Sequence, residues 1–138
     1  IAYVYPDAPA GDFDYYEIYG SLGFILGPVS ATVGAAYDPK QNGLNFGGLQ
    51  RDNLYLYTNI SSPIPKTPFT ATAHLGYTDG AFSFETDSKS WDWSLEVSMP
   101  VWGPLTASLA YVDAEADVAT GAFNPTGSTV VAKLSARF

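Results

Sequence analysis

The sequence predicts an all-β chain, an antiparallel up-and-down transmembrane β-barrel of about eight strands, and three observations carry that expectation. The first is the ending. Val130, Ala132, Leu134, Ala136 and Phe138 alternate with Thr129, Lys133, Ser135 and Arg137, with only Val131 out of phase. A period of two describes a strand with one apolar and one polar face. A strand that ends the chain on an aromatic residue suits the closing strand of a barrel that faces lipid along its length. The second is composition. Aromatic residues make up 15% of the chain and charged residues only 14%, against about 25% charged in a typical soluble domain. Mean hydropathy is nonetheless +0.01, because apolar and polar residues interleave instead of forming the runs of about 18 that helical spans need. The third is the spacing of connections, which alternate between short and long.

Gly and Pro punctuate the chain into strand-sized pieces. Ile1 to Pro6 reads as a short strand, ended by Pro6, Pro9 and Gly11. Tyr15 to Ile25 sets Tyr16, Ile18, Leu22 and Phe24 against Glu17, Tyr19 and Ser21. After the turn Leu26-Gly27-Pro28, Val29 to Tyr37 alternates Val29, Ala31, Val33, Ala35 and Tyr37 with Ser30, Thr32 and Gly34. A Gly- and Asn-rich break covers 38–52. Asn53 to Ser61 sets Leu54, Leu56 and Ile60 against Tyr55, Tyr57 and Asn59. Phe69 to Thr78 follows a Pro-rich connection and sets Phe69, Ala71, Ala73, Leu75 and Tyr77 against Thr70, Thr72, His74 and Gly76. Trp91 to Met99 sets Trp91, Trp93, Leu95, Val97 and Met99 against Asp92, Ser94, Glu96 and Ser98. Leu105 to Val112 follows the turn at Trp102-Gly103-Pro104, and the closing strand is Ser128 to Phe138. A helical period of 3.6 is not sustained in any segment.

Short connections fall at 26–28, 62–68 and 100–104 and long ones at 38–52, 79–90 and 113–127. Outer-membrane barrels pair short periplasmic turns with long extracellular loops. Asp38, Asp52, Asp79, Glu85, Asp87, Asp113, Glu115 and Asp117 lie in or beside the long loops, whereas the short turns carry only Lys66. Aromatic residues gather at both ends of the apolar faces. Tyr16, Tyr37, Tyr77, Trp91 or Trp93, and Tyr111 form an expected upper girdle; Phe24, Phe69, Trp102 and Phe138 form a lower one, at the depth of lipid headgroups. The expected location is a bacterial outer membrane. The expected partners are its lipids and, through the C-terminal strand, the barrel-assembly machinery.

Several of these segments resemble the TorF-type porin family of proteobacteria. They are Tyr3-Val4-Tyr5-Pro6, Asp14-Tyr15-Tyr16-Glu17-Ile18-Tyr19-Gly20, Asp52-Asn53-Leu54-Tyr55-Leu56 and His74-Leu75-Gly76-Tyr77-Thr78, with Trp93-Ser94-Leu95, Leu109-Ala110-Tyr111 and the terminal Phe138. The resemblance spans nearly the whole chain, through short motifs. It implies an outer-membrane barrel with porin-like, passive passage of small solutes or ions. Members of that family carry a signal peptide and further strands ahead of the Tyr-Pro segment. Residues 1–138 thus read as one barrel domain, either a small barrel or the C-terminal part of a larger one. Ile1 to Pro6 is also shorter than the 9–11 residues or so of a spanning strand. Eight strands fill their own lumen with side chains, so the alternative is a non-conducting barrel with a structural, adhesion or stress role through its acidic loops. A soluble secreted β-protein is the third reading.

The polar faces carry Glu17, His74, Asp92, Glu96, Lys133 and Arg137. These read as a lumen network in which Glu17 and Glu96 compensate Lys133 and Arg137, since a narrow interior does not hold unpaired charges. The chain has no cysteine and one histidine, which excludes disulfides, thiolate metal sites and His-cluster metal sites. No serine sits in a nucleophile context, so no enzyme, cofactor or metal centre is expected. Acidic side chains at Asp113, Glu115 and Asp117, or at Glu85 and Asp87, are candidate contacts for divalent cations. A net charge of −8 argues against nucleic acid. Gly43 to Gly48 lacks the Lys and Ser/Thr of a phosphate loop.

Overall fold

The computed structural model describes residues 1–6, 13–46, 49–83, 85, 87–115 and 126–138. Its main element is an open antiparallel sheet of seven strands. Four small strands and a 3₁₀ turn sit at one end. In chain order the strands are β1 (Ala2–Tyr3), β2 (Tyr15–Tyr16), β3 (Ile18–Leu26), β4 (Val29–Asp38), β5 (Asn45–Phe46), β6 (Leu49–Gln50), β7 (Asn53–Pro63), β8 (Thr70–Gly80), β9 (Lys89–Trp102), β10 (Leu105–Ala114) and β11 (Thr129–Ala136). The sheet order is β11-β10-β9-β8-β7-β4-β3. Every neighbour in it follows its partner directly along the chain, apart from the small insertion between β4 and β7.

The alternation in the sequence decides which side chains share a face, and the register aligns them across strands. Phe24, Ala31, Ile60, Ala73, Leu95, Tyr111 and Val130 form one transverse row; Gly23, Thr32, Asn59, His74, Ser94, Val112 and Thr129 form the row beside it on the opposite face. Burial runs against the usual rule for a water-soluble sheet. In the inner strands the apolar face is the more exposed one, with Leu95 57% exposed, Leu109 56% and Leu75 45%, while the edge strands β3 and β11 are exposed on both faces. On the polar face Asn53 is 3% exposed and Ser108 9%. A sheet in water hides its apolar side chains, because each Leu or Val buried gains about 1.5–3 kcal/mol. Here the described residues leave that face of the inner strands uncovered.

Two tight hairpin turns need a left-handed residue, supplied by Gly27 (φ 61°) and Gly103 (φ 53°). Elsewhere the structure departs from expectation in three ways. β9 runs on through Pro100 to Trp102, with a register shift between Leu105 and Thr106 opposite it. An irregular pairing of this kind accommodates a residue that cannot donate to the ladder. β8 and β9 extend into the loop expected over 79–90. Finally, Ile1 to Pro6 is not an eighth strand of the sheet. Only Ala2 and Tyr3 pair, with Tyr16 and Tyr15, in a separate two-stranded ladder. The seven-stranded sheet keeps two free edges, β3 and β11, and is not closed. Six antiparallel pairings separate those edges, so they run in the same direction.

The loop end is capped by a small cluster. Tyr3 stacks on Tyr15 with ring centroids 4.4 Å apart, and Tyr15 meets Phe82 at 5.6 Å. The 3₁₀ turn Asn42–Leu44 buries Leu44 completely. Gln41 fixes β2 by accepting from the Tyr16 amide and donating to its carbonyl, both at 2.9 Å.

Candidate functional site

The polar face carries the chemistry, and it divides into three levels between the loop end and the hairpin-turn end. In the middle, β7, β8 and β9 bring together Tyr55, Asn59, His74 and Asp92. His74 Nδ1 is 2.7 Å from Asn59 Oδ1, and its Nε2 is 2.9 Å from Asp92 Oδ1. The Tyr55 hydroxyl lies 3.0 Å from the same Nε2 and donates to Asp92 Oδ1 at 3.3 Å. Both ring nitrogens are therefore engaged, and the imidazole is held across three strands. The Tyr57 ring lies nearly parallel to that of His74 at 6.3 Å. Gly76 makes the arrangement possible. A Cβ there would collide with the Tyr55 hydroxyl and the Asp92 carboxylate. A cavity of about 360 Å³ borders the cluster on the β10–β11 side, lined in part by Ser94, Val112 and Thr129.

Towards the hairpin turns, Lys133 Nζ reaches Glu96 Oε2 at 3.0 Å. Lys133 on β11 and Glu96 on β9 are separated by β10, which offers only Ser108 and Ala110 beneath them. The expected compensation of Glu96 by Lys133 is thus formed. The expected network does not extend to Glu17 and Arg137, and among the described residues neither is in an ion pair. Arg137 lies beyond β11, where its amide donates to the Pro104 carbonyl at 3.2 Å, while Glu17 lies between β2 and β3 at the loop end. The direction of the strands puts the two at opposite ends of the sheet, a separation the one-dimensional pattern of polar positions does not reveal.

At the loop end Glu17 and Asp38 are neighbours. The register Ile18 to Tyr37 carries Glu17 to Asp38 one step further, both on the polar face. Asp38 in turn pairs Asn53 on β7. Asp38 is 1% exposed, and its Oδ1 is buried with no hydrogen-bond partner. Sequence reasoning missed Asp38 as a site residue and placed it only at a loop edge. Its position at the end of an alternating strand, in phase with Thr32 and Gly34, was the available signal.

Of the residues expected in the two girdles, Phe24, Tyr37, Tyr77, Trp91, Trp93, Trp102 and Tyr111 lie on strands of the sheet, whereas Tyr16 lies in the β1–β2 ladder and Phe69 and Phe138 lie just outside β8 and β11. Tyr77 packs on Trp91 with centroids 4.8 Å apart and Trp93 on Tyr111 at 5.4 Å. Tyr37 donates to Asp52 Oδ2 at 3.0 Å, and Tyr16 is exposed on β2. Phe24, Phe69, Trp102 and Phe138 are all exposed, Trp102 at 77%. Of the acidic candidates, Asp113 and Glu115 share a side at the end of β10, and Asp117 lies outside the described residues. Among the described residues no group of three or more His, Asp or Glu side chains is placed to hold a metal ion. No helix of the described residues is long and apolar enough to cross a membrane, which bears on helices alone.

Against known families, a model described as "Bacterial protein of unknown function (Gcw_chp)" matches residues 1–138. The chain belongs to the Gcw_chp family. Comparison of this Gcw_chp chain with curated proteins and with solved structures finds no match in either.

Proposed function

We propose that this Gcw_chp chain forms the wall of a bacterial outer-membrane β-barrel of porin-like type, giving passive passage to small solutes or ions. One observation carries the reading: in the five inner strands, β4 and β7 to β10, the more exposed face is the apolar one and the more sheltered face is polar. Lipid is the solvent in which that arrangement is stable. Strand lengths agree with it, since β3, β4, β7, β8 and β10 have 9 to 11 residues, about what a tilted span needs. In lipid both free edges require a partner. Because β3 and β11 run the same way, a single strand between them would have to run opposite to both, as β1 does where it meets β2. The resemblance to the TorF-type porin family supports the same reading.

A specific observation favours the non-conducting alternative. Tyr55, Tyr57, His74 and Asp92 fill the middle of the polar face, and the ring of Tyr57 covers Gly34. Planar-bilayer recording of the purified, detergent-folded protein separates the two. Discrete channel steps support passage, and a folded, heat-modifiable protein without steps supports the structural role through the acidic loops. A protein that stays in aqueous solution without detergent would refute both.

A further inference from the structure

The charges on the polar face are not all treated alike. Asp92 faces His74, and Glu96 faces Lys133. Glu17 and Asp38 face each other, and among the described residues neither is in an ion pair with a Lys, Arg or His side chain. Glu17 stands one register step beyond the Ile18–Tyr37 pair, beside Asp38 on the neighbouring strand. Asn53 is the register partner of Asp38 on β7, and Asp38 Oδ1 is buried without a hydrogen-bond partner. Tyr15, two residues before Glu17, stacks on Tyr3 with ring centroids 4.4 Å apart.

A buried carboxylate with an orphan oxygen, beside a second carboxylate, is costly unless an opposite charge completes it. The surroundings offer oxygen donors, and among the described residues the nearby Lys40 pairs with neither carboxylate. Two carboxylates, phenolic hydroxyls and water form the oxygen-rich, acidic environment that hard divalent ions prefer over softer metals. We propose that Glu17 and Asp38 bind a hard divalent cation of the calcium type at the loop end of the polar face. The site goes beyond the passage of solutes and does not require conduction. It also differs from the loop positions Asp113 and Glu115, which lie at the far end of the sheet order on β10 and beyond it.

The cluster supplies its own reporter, because tyrosines next to a bound Tb³⁺ sensitise its luminescence. The full chain, folded in detergent, is titrated with Tb³⁺ under excitation of tyrosine, and the signal is then displaced with Ca²⁺. Saturable luminescence that Ca²⁺ displaces is expected in the parent protein. Asp38→Asn and Glu17→Gln each weaken it about tenfold or more, since carboxylate count sets such affinities. Glu96→Gln, which touches only the compensated pair, leaves it unchanged. If Asp38→Asn does not fold by far-ultraviolet circular dichroism, Glu17→Gln decides alone. Absence of a displaceable signal in the parent overturns the proposal. So does a signal that survives Glu17→Gln and disappears in Asp113→Asn with Glu115→Gln. Neither result bears on the membrane reading, which detergent dependence and heat-modifiable migration test separately.

Discussion

The Lys133 ammonium on β11 crosses β10 to meet the Glu96 carboxylate on β9 at 3.0 Å, passing over Ser108 and Ala110. The crossing depends on β10 being small at those two positions, both 9% exposed. Lys133 itself is 56% exposed, so solvent screens the pair, and Lys133→Met should cost at most about 1 kcal/mol. Ala110→Leu, which drives a branched side chain into the crossing, should cost about 1–3 kcal/mol. Urea unfolding of the protein folded in lipid vesicles measures both. Equal losses would mean that the charge, and not the space beneath it, governs the contact.

The His74 cluster should behave as a unit. Asp92→Ala removes the acceptor facing both His74 and Tyr55, which are part-buried and keep their own 3.0 Å contact, so the loss should be that of a net hydrogen bond, about 0.5–1.5 kcal/mol. Gly76→Ala pushes on the same two neighbours and should cost about 1–3 kcal/mol. The double variant should lose clearly less than the sum, because the carboxylate that the added methyl group would strike is then absent. Strict additivity in a double-mutant cycle would show that Gly76 is needed for some other reason.

Much of this was legible in one dimension, and the residues explain where legibility ended. Alternation is a local property, so the faces of Val29 to Tyr37, Phe69 to Thr78 and Trp91 to Met99 could be read directly, and so could the turns at Gly27 and Gly103. Partnership is not local. His74 was recognisable as a polar-face residue, but its contact with Asp92 depends on how many residues the β8–β9 connection uses, and β8 and β9 extend into that connection. Glu17 and Arg137 looked equivalent to Glu96 and Lys133 as polar positions with opposite charges. Only strand direction separates them. Pro100 read as a terminator, because proline cannot donate to a ladder, whereas the irregular pairing beside Leu105 lets the strand continue.

The cap at the loop end should loosen in alkali. Tyr15 is pushed up from the ordinary 10.0 to about 12, first by burial and then by the neighbouring Tyr5, Tyr3 and Asp38. A raised value means that the folded cap holds the phenolic proton more tightly than the unfolded chain does. The resulting stabilisation is fully present below pH 10 and is lost as pH rises towards about 12. Protease susceptibility of the N-terminal hairpin, followed from pH 9 to 12 or so, should rise across that interval. It should not show that step in Tyr15→Phe. A hairpin already cut freely at pH 9 would contradict the coupling.

The sharpest test of the solvent around the sheet is a charge placed on its exposed face. Leu95 lies in the row between Phe24 and Val130, near the middle of β9, and is 57% exposed. In water, Leu95→Arg at such a position is close to neutral, because exposed substitutions away from special features change stability by about 0.5 kcal/mol or less. In a bilayer the same arginine sits at mid-depth on the lipid face and should cost about 2–4 kcal/mol. Trp102→Arg, at the expected headgroup level, should cost only about 0–1 kcal/mol as a charge, apart from the lost ring contacts. Reversible unfolding in lipid vesicles reads the difference directly. A depth-dependent penalty supports lipid as the partner of the apolar face, whereas equal, small effects at both positions would place that face in water and remove the basis of the barrel.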